Sequence, residues 1–320
     1  MTNELMKVVV SRKTREAEDI CSFELVHPEG NSLPAFSPGS HIDVHISEQL
    51  LRQYSLCNDP AETHRYVLGV LREPESSGGS IAMHENVQEG QEIQISYPRN
   101  NFHLEEDAGY SLLLGGGIGI TPILSMARKL AASGRNFEMH YCTRSKERCA
   151  FHDEISRSAF ADKVNFHFDD GPEDQLLDIP ALLQTRPEDA RLYVCGPKGF
   201  MDAVISNAEK SWPADTIHRE YFSADPSAGK EDDSFAVRIN SSGELIQVPA
   251  DLTIVEALLE KGIEIPVSCE QGICGTCLTR IIEGTPEHRD LFLSDAEHEA
   301  NDQMTPCCSR ALSDILVLDL

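Results

Sequence analysis

The stretch CEQGICGTC (269–277) carries three of the ten cysteines of this chain, and a fourth follows farther on. The full pattern is Cys269-x4-Cys274-x2-Cys277-x29-Cys307. This is the plant-type spacing of a [2Fe–2S] cluster, whose loop supplies three thiolates while a separate segment supplies the fourth. The spacing therefore predicts a ferredoxin-like cluster site in the last fifth of the chain.

Two alternatives stay open at these cysteines: a zinc site with four cysteine ligands, and a set of buried thiols. Structural zinc usually draws on two well-separated cysteine pairs, whereas here three cysteines share one loop. Gly272 and Gly275 let that loop turn tightly and bring backbone N–H groups near the sulfurs. Neighbouring residues of an extended segment point in opposite directions, so the spacing favours Cys307 as the ligand and makes Cys308 a small core residue.

Composition limits the classes of protein that the chain can belong to. Its 320 residues suggest two or three domains. Lys and Arg number 27 against 53 Asp and Glu, a net charge of −26, which excludes a general basic surface for nucleic acid and disfavours anionic membranes. No apolar run approaches the ~18 residues of a membrane span, and no signal peptide is recognisable. We therefore expect a cytoplasmic protein.

The first hundred residues read as short strands separated by turns. One short helix fits near residues 80–85. The alternating or continuous apolar segments that predict strands are HIDVHI (41–46), RYVLGVL (65–71) and EIQISY (92–97). Strands at this spacing predict an antiparallel barrel or sandwich.

After about residue 107 strands and helices alternate, which predicts right-handed crossovers and a parallel sheet. Thr121 is the expected N-cap of the first helix, with Pro122 in its first turn and Gly134 past its end. The four expected strands are YSLLLG (110–115), FEMHYC (137–142), KVNFHF (163–168) and RLYVCG (191–196).

A small, polar and acidic segment, 224–234, has the composition of a linker. The remaining chain begins with a predicted hairpin, FAVRIN (235–240) and ELIQVP (244–249). An amphipathic helix at 253–262 follows, with Thr253 as its cap and Glu256 three residues on, and the chain closes on the strand ILVLDL.

The joint order of these motifs makes the chain resemble the phthalate dioxygenase reductase family over essentially its whole length, closest to the vanillate O-demethylase reductases. The motifs are RQYSL (52–56), GGS (78–80), LLLGGGIGITPIL (112–124), CGP (195–197), EYF (220–222), the cysteine pattern and the ending CCSRALSDILVLDL. The resemblance implies an FMN-binding antiparallel β-barrel domain (1–106), an NAD-binding parallel-sheet α/β domain (107–224), a linker (225–233) and a β-grasp ferredoxin domain (234–320).

At the flavin site, the resemblance implies that Arg52 holds the phosphate, Tyr54 packs on the ring and Ser55 lies near the ring nitrogen that accepts a hydride. Gly79 and Ser80 are implied to bind the flavin phosphate, with FMN rather than FAD as the cofactor. These residue types suit the task, because a guanidinium matches a phosphate and an aromatic face matches an apolar ring. Taken alone, the segments would be an ordinary amphipathic strand and a capped turn.

At the nicotinamide site, glycines link an apolar strand to a helix, although Ile120 occupies the third glycine position of the usual fingerprint. By resemblance Thr121, Cys195 and Phe222 join Ser55 at the contact between flavin and nicotinamide. Without the family, Cys195 would be a buried thiol and Phe222 a core aromatic. Gly115, Gly116, Gly117 and Gly119 let a ligand approach the backbone, and the helix start at Thr121 favours a pyrophosphate. The resemblance places Cys195 beside the nicotinamide, Gly196 and Pro197 along the dinucleotide, and Phe222 near the flavin.

The choice between the two nicotinamide dinucleotides is less constrained by the residues. Arg144, Lys146 and Arg148 follow the second strand and leave NADPH open, because basic groups there are able to meet a 2′-phosphate. Basic residues of an exposed loop are more often simply solvated. The resemblance implies NADH.

The function implied by the resemblance is that of an oxygenase reductase. The nicotinamide gives a hydride to FMN, and single electrons leave through the cluster to a separate Rieske-type terminal oxygenase that docks transiently on the ferredoxin domain. Two other functions stay open. One is a ferredoxin-containing electron-transfer module without dehydrogenase activity, and the other is a flavin reductase that releases reduced flavin.

Overall fold

The computed structural model describes residues 5–47, 50–74, 78–222 and 234–320. The chain divides into two compact units, residues 1–220 and 221–320. The predicted linker at 225–233 lies outside the described residues. None of the helices within the described ranges is long and apolar enough to cross a membrane.

The first part of the larger unit is an antiparallel barrel, as predicted. Its strands follow the order β4-β3-β6-β1-β2-β5, with β7 paired to β3, and a bridge between Leu56 and Leu68 joins the end of β4 to β5. The elements are β1 (Leu5–Ala17), β2 (Ile20–Val26), β3 (Ser40–Ser47), β4 (Leu50–Ser55), β5 (Tyr66–Leu71), α1 (Gly79–Asn86), β6 (Glu92–Ser96) and β7 (Arg99–Asn100).

Alternation along the strands fills the barrel interior. On β3, Ile42 and Val44 are fully buried, and on β6 Ile95 is fully buried beside them. Successive residues of a strand face opposite sides, so a period of two in the sequence places one set of side chains in the core. This register also fixes which residues of β4 face the site described below.

The second part of the larger unit is a parallel sheet of five strands in the order β10-β9-β8-β11-β12. The four strands expected from the sequence are present, and β12 adds a fifth at the edge. The elements are β8 (Tyr110–Gly116), α2 (Ile120–Ala132), β9 (Phe137–Thr143), α3 (His152–Ser156), β10 (Val164–Phe168), α4 (Ile179–Gln184), β11 (Ala190–Cys195), α5 (Lys198–Ala208) and β12 (Ile217–Glu220).

The predicted cap of α2 is wrong by two residues. The helix begins at Ile120 and its N-cap is Gly119, because a 3-10 turn over Gly117–Gly119 runs directly into the helix. Thr121 is therefore inside the first turn, where its hydroxyl donates to the Ile118 carbonyl at 3.0 Å. The predicted end is confirmed, since Gly134 follows the helix with a φ of +66°.

The smaller unit is a mixed sheet in the order β14-β13-β19-β15-β17 with a two-stranded β16–β18 ribbon. Its first helix carries the predicted capping box: Glu256 N–H donates to the Thr253 hydroxyl at 3.1 Å, and Thr253 N–H donates to the Glu256 carboxylate at 2.8 Å. The elements are β13 (Phe235–Ile239), β14 (Leu245–Val248), α6 (Ile254–Leu259), β15 (Thr279–Glu283), β16 (Pro286–Glu287), α7 (Asp295–Ala300), β17 (Gln303–Met304), β18 (Arg310–Ala311) and β19 (Ile315–Leu318).

Candidate functional site

The four cysteines of the pattern converge in the smaller unit. Cys269 accepts hydrogen bonds from the thiols of Cys274 and Cys307, which lowers its pKa. Cys277 accepts from Cys307, which lowers the pKa of Cys277 in the same way. The four sulfurs thus form one connected group, with three of them from the loop 269–277 and the fourth from a separate segment. This donor set fits a [2Fe–2S] cluster held by four thiolates.

The shape of this loop, which we call the cysteine loop (269–277), depends on two glycines. Gly272 and Gly275 have φ angles of +70° and +69°, a region that side-chain-bearing residues rarely adopt. A Cβ at Gly275 would lie 2.2 Å from the Phe292 ring, and one at Gly272 would lie 2.4 Å from the Cys308 sulfur. The loop therefore closes over neighbours that leave no room for side chains.

Cys308 packs against the core of its unit, and its sulfur also accepts a hydrogen bond from the Cys307 thiol, which lowers the pKa of Cys308. Its sulfur is 3.3 Å from the Thr305 hydroxyl. The backbone N–H of Gln271 points at the Cys269 sulfur at 3.4 Å, the kind of contact expected around a thiolate ligand. The exclusion of Cys308 from the ligand set stays a prediction.

On the barrel, strand β4 carries the predicted flavin residues. Arg52 lies opposite Val44 of β3, and its side chain crosses Gly79, where a Cβ would lie 2.5 Å from the Arg52 Cγ. The guanidinium is thereby held at the amino end of α1, which no side chain of the described residues caps. Open backbone N–H groups beside an arginine suit a phosphate group, so these residues fit the FMN phosphate. The Ser80 hydroxyl accepts from the Glu73 N–H at 3.1 Å.

The strongest tertiary feature of the site is a row of residues from four strands. Buried Ser55, at the end of β4, donates a hydrogen bond to the carboxyl group of Glu220 at the end of β12. Glu220 pairs with Cys195 on β11, and Cys195 pairs with Gly115 on β8. Partners in a parallel ladder face the same side of the sheet, so these positions line up at its carboxyl edge. We call Ser55, Glu220, Cys195 and Gly115 the inter-strand row.

Two side chains of the row are neutral at pH 7. Burial raises the pKa of Glu220 to about 8, and the hydrogen bond from Ser55 opposes this shift. Burial, and then the charge of Glu220, raise the pKa of the Cys195 thiol well above its ordinary value. Glu220 Oε2 is buried and has no hydrogen-bond partner among the described residues. An unsatisfied buried oxygen at this position fits a site built to meet a further polar group.

The sequence reasoning did not select Glu220. The motif EYF was used for its aromatic residue, Phe222, which is half-buried and follows β12. An available signal was that an acidic residue ends this short strand. Glu220 becomes part of the site through its register with Cys195 and its contact with Ser55. Both partners are distant from Glu220 in sequence.

The glycine-rich turn after β8 and the CGP turn after β11 lie backbone to backbone. A Cβ at Gly119 would lie 2.3 Å from the Cys195 carbonyl oxygen, and one at Gly196 would lie 3.0 Å from the Gly116 Cα. The helices that follow, α2 and α5, begin without a side-chain cap from the described residues. Two open helix starts at the carboxyl ends of adjacent parallel strands fit the pyrophosphate of a dinucleotide.

Thr121 is buried between the barrel and the parallel sheet. Its methyl group lies 2.8 Å from where a Cβ at Gly69 of β5 would stand. With its hydroxyl bound to Ile118, it packs the two halves of the larger unit together. Its contribution to the contact between flavin and nicotinamide stays a prediction.

Comparisons with known proteins agree with this arrangement. The model of the 2Fe-2S iron-sulfur cluster binding domain matches residues 237–312, and that of the oxidoreductase NAD-binding domain matches residues 113–206. Vanillate O-demethylase oxidoreductase of Pseudomonas sp. (strain HR199 / DSM 7063) is 53% identical over 99% of this chain and 100% of its own. Phthalate dioxygenase reductase of Burkholderia cepacia is 39% identical over 98% of this chain and 97% of its own.

A solved structure of a phthalate dioxygenase reductase superposes with a TM-score of 0.82 at 39% identity, covering 99% of this chain and 98% of the other. The fold and site define an iron–sulfur flavoprotein oxidoreductase that draws on a nicotinamide dinucleotide. The chain belongs to the phthalate dioxygenase reductase family. Its cofactors are FMN and a [2Fe–2S] cluster, and it is the reductase of a system with a separate oxygenase.

Proposed function

We propose that this chain is the reductase component of a Rieske-type aromatic oxygenase or O-demethylase, that it uses NADH, and that it acts in the cytoplasm. The observation that carries this proposal is the inter-strand row, because it joins the flavin strand β4 to the parallel dinucleotide sheet within one compact unit. The names of the two relatives above contain vanillate and phthalate. They support a methoxylated or carboxylated aromatic as the substrate of the oxygenase.

Three regions of this chain would hold the cofactors. Arg52 and the amino end of α1 would bind the FMN phosphate, with Tyr54 against the ring. The turns at 115–119 and 195–197 would bind the dinucleotide, and the four cysteines would bind the cluster. When bound, FMN supplies the exchange between two-electron and one-electron chemistry, and the cluster takes one electron at a time.

The polar side chains of the row would prepare the site for hydride transfer. Glu220 holds a proton at neutral pH, and Ser55 hydrogen-bonds to the same carboxyl group. A hydroxyl is both donor and acceptor, so Ser55 follows a neighbouring group whose protonation changes. Cys195 adds a small neutral thiol that excludes water beside the nicotinamide, and Phe222 would cover the flavin.

The surroundings of β9 favour NADH over NADPH. Arg148 forms ion pairs with Glu18 at 2.9 Å and with Asp19 at 3.4 Å. The Arg148 guanidinium is therefore already paired with carboxylates of the barrel, which disfavours its binding of a 2′-phosphate. Arg144 and Lys146 are exposed. None of the ten cysteines forms a disulfide, as in a reducing compartment, which supports a cytoplasmic location.

We further propose the domain boundaries 1–106 for the FMN barrel, 107–224 for the NAD domain, 225–233 for the linker and 234–320 for the ferredoxin domain. The oxygenase would dock on the ferredoxin domain for a short time, since an electron carrier must release its partner. The net charge of −26 favours a partner surface with complementary basic groups.

Anaerobic addition of NADH to the purified holoprotein tests the proposal. We expect the flavin absorption to bleach and the EPR signal of a reduced [2Fe–2S] cluster to appear, with NADPH acting more slowly. A passive electron-transfer module would show neither change. Product formation with purified Rieske oxygenases, with vanillate and phthalate as alternative substrates, then identifies the partner class.

The variant Cys274→Ser separates the proposal from a flavin reductase. We expect it to retain reduction of the flavin by NADH and to lose electron transfer to the oxygenase. Cys21→Ser, in strand β2 of the barrel, is the matched control and should keep both activities. Retention of oxygenase turnover by Cys274→Ser would contradict the proposed route through the cluster.

A further inference from the structure

Two histidines and an aspartate of the smaller unit lie together, and none of them belongs to the flavin, dinucleotide or cysteine sites described above. His288 follows β16, Asp290 comes two residues later, and His298 is in the last turn of α7. One ligand atom from each lies within 4.8 Å of the other two, and they are the single group of this kind found among the described residues. We call them the His–Asp–His cluster.

The carboxylate of Asp290 is held rigidly by its neighbours. Its Oδ2 accepts hydrogen bonds from the backbone N–H groups of Phe292, at 3.2 Å, and Leu293, at 2.8 Å. Its Oδ1 accepts from the Ser309 hydroxyl at 3.4 Å. The side chain is fully buried. The oxygen that faces the two histidines therefore has a fixed position and direction.

Both imidazoles lie beside that same oxygen, Oδ1 of Asp290. His298 Nε2 lies 3.3 Å and His288 Nδ1 lies 3.6 Å from Asp290 Oδ1. A tetrahedral zinc ion with bonds of ~2.0–2.1 Å separates neighbouring ligand atoms by about 3.4 Å. The two nitrogen–oxygen distances thus already have the spacing of a metal site. The two imidazole rings stack with their centroids 4.3 Å apart.

The ring nitrogens of His288 supply an independent observation that points to a ligand. Its side chain is 10% exposed, yet neither ring nitrogen has a hydrogen-bond partner among the described residues. Burial, and then the charge of His298, lower the pKa of His288, and contacts with Asp290 and Asn301 only partly oppose this shift. Buried polar atoms without partners are rare and indicate an ion, a water or a ligand.

We propose that the His–Asp–His cluster binds a divalent cation of the zinc class through His288, Asp290 and His298. Two imidazoles and one carboxylate are a donor set that Zn²⁺ prefers, and the fourth position would hold water. The proposal is separate from the oxygenase-reductase function.

The location of the cluster suggests what the cation does. The Leu291 N–H donates to the Gly272 carbonyl at 2.9 Å, and a Cβ at Gly272 would lie 3.0 Å from the Asp290 Cα. The segment that carries Asp290 therefore packs against the cysteine loop. A bound cation would tie this segment to α7 and stabilise the loop, without being part of the electron route.

Zinc titration of the chelator-washed holoprotein, followed by calorimetry under nitrogen, tests the proposal. We expect saturable binding of one zinc per chain, with iron, sulfide and flavin contents unchanged. His288→Gln and His298→Gln are each expected to weaken binding by at least about 100-fold, more than is typical for loss of an outer-shell partner. The control Glu299→Gln removes an exposed carboxylate next to His298 and should bind zinc as the wild type does.

X-ray absorption at the zinc edge gives a second readout that does not depend on variants. Nitrogen and oxygen neighbours at ~2.0–2.1 Å are expected, whereas sulfur neighbours at ~2.3 Å would show that zinc had displaced iron at the cysteines. Sulfur ligation would overturn the proposal. So would the absence of saturable binding to the wild type, or equal binding to the wild type and to both histidine variants.

Discussion

Three of the four cluster cysteines lie in one loop of nine residues, 269–277, whereas the side chains of the inter-strand row come from strands β4, β11 and β12. The first site is local: spacing and two glycines set most of its shape. The second exists only because sheet register brings Cys195 beside Glu220 and because the barrel delivers Ser55 to the same edge. Short spacing along the chain thus determines most of the cysteine site, whereas the polar groups of the inter-strand row are brought together by the topology of the sheets.

The largest expected effect is loss of the cluster on changing its distant ligand. Cys307→Ser is expected to abolish iron and sulfide binding and electron transfer to the oxygenase, because the other three thiolates lie in a single loop. Iron and acid-labile sulfide analysis with EPR measures this directly. Cys308→Ser is the neighbouring control and should retain the cluster. The reverse result would show that the fourth ligand is Cys308, against the spacing argument.

A smaller effect is expected in the inter-strand row. Glu220→Gln replaces the carboxyl group beside Ser55 with an amide of the same size and removes the proton that Glu220 releases as the pH rises through about 8. Below that pH the carboxyl is protonated and flavin reduction by NADH should be fast, so the wild-type rate should fall as the pH rises through it. The variant should be about 100-fold slower at pH 7 and should lack this pH dependence, as stopped-flow absorption would show.

The control for this prediction is Glu209→Gln, at the exposed end of α5, which should leave the rate and its pH profile unchanged. An inflection near pH 8 that persists in Glu220→Gln would assign the titration to another group. In that case the row would contribute only packing.

The smallest expected effect compares two glycines of the parallel-sheet half. Gly119→Ala places a Cβ 2.3 Å from the Cys195 carbonyl oxygen, so the two turns must separate. We expect a loss of about 1–3 kcal/mol in the free energy of unfolding and a higher KM for NADH. Gly199→Ala, in the first turn of α5, has no atom within 4 Å of the new Cβ and should stabilise the protein by up to ~1 kcal/mol.

Thermal and denaturant unfolding of the two alanine variants measures the difference. Equal stabilities would mean that the backbone contact between the turns is easily relaxed. An unchanged KM together with lower stability would place the dinucleotide away from Gly119.

Many elements were predictable from short windows of sequence. The Thr253–Glu256 capping box and the glycine stop of α2 are formed by residues that are neighbours along the chain, and both predictions are confirmed. The apolar run 110–115 predicted a buried parallel strand, and β8 is one. The N-cap of α2 was misplaced because a 3-10 turn precedes the helix, and Thr121 looks like a cap when only its residue type is considered.

Pattern and spacing were sufficient for the order of the domains, the class of the sheets and the three-cysteine loop, since each depends on residues close in sequence or on a simple period. Folding was needed to bring Glu220 to Ser55, to set Gly119 against the Cys195 carbonyl, and to gather His288, Asp290 and His298 behind the cysteine loop. The physical reason is that burial and register act between segments distant in sequence. A carboxyl group keeps its proton near pH 7, and an imidazole loses its partners, only where the packed chain removes water from around them.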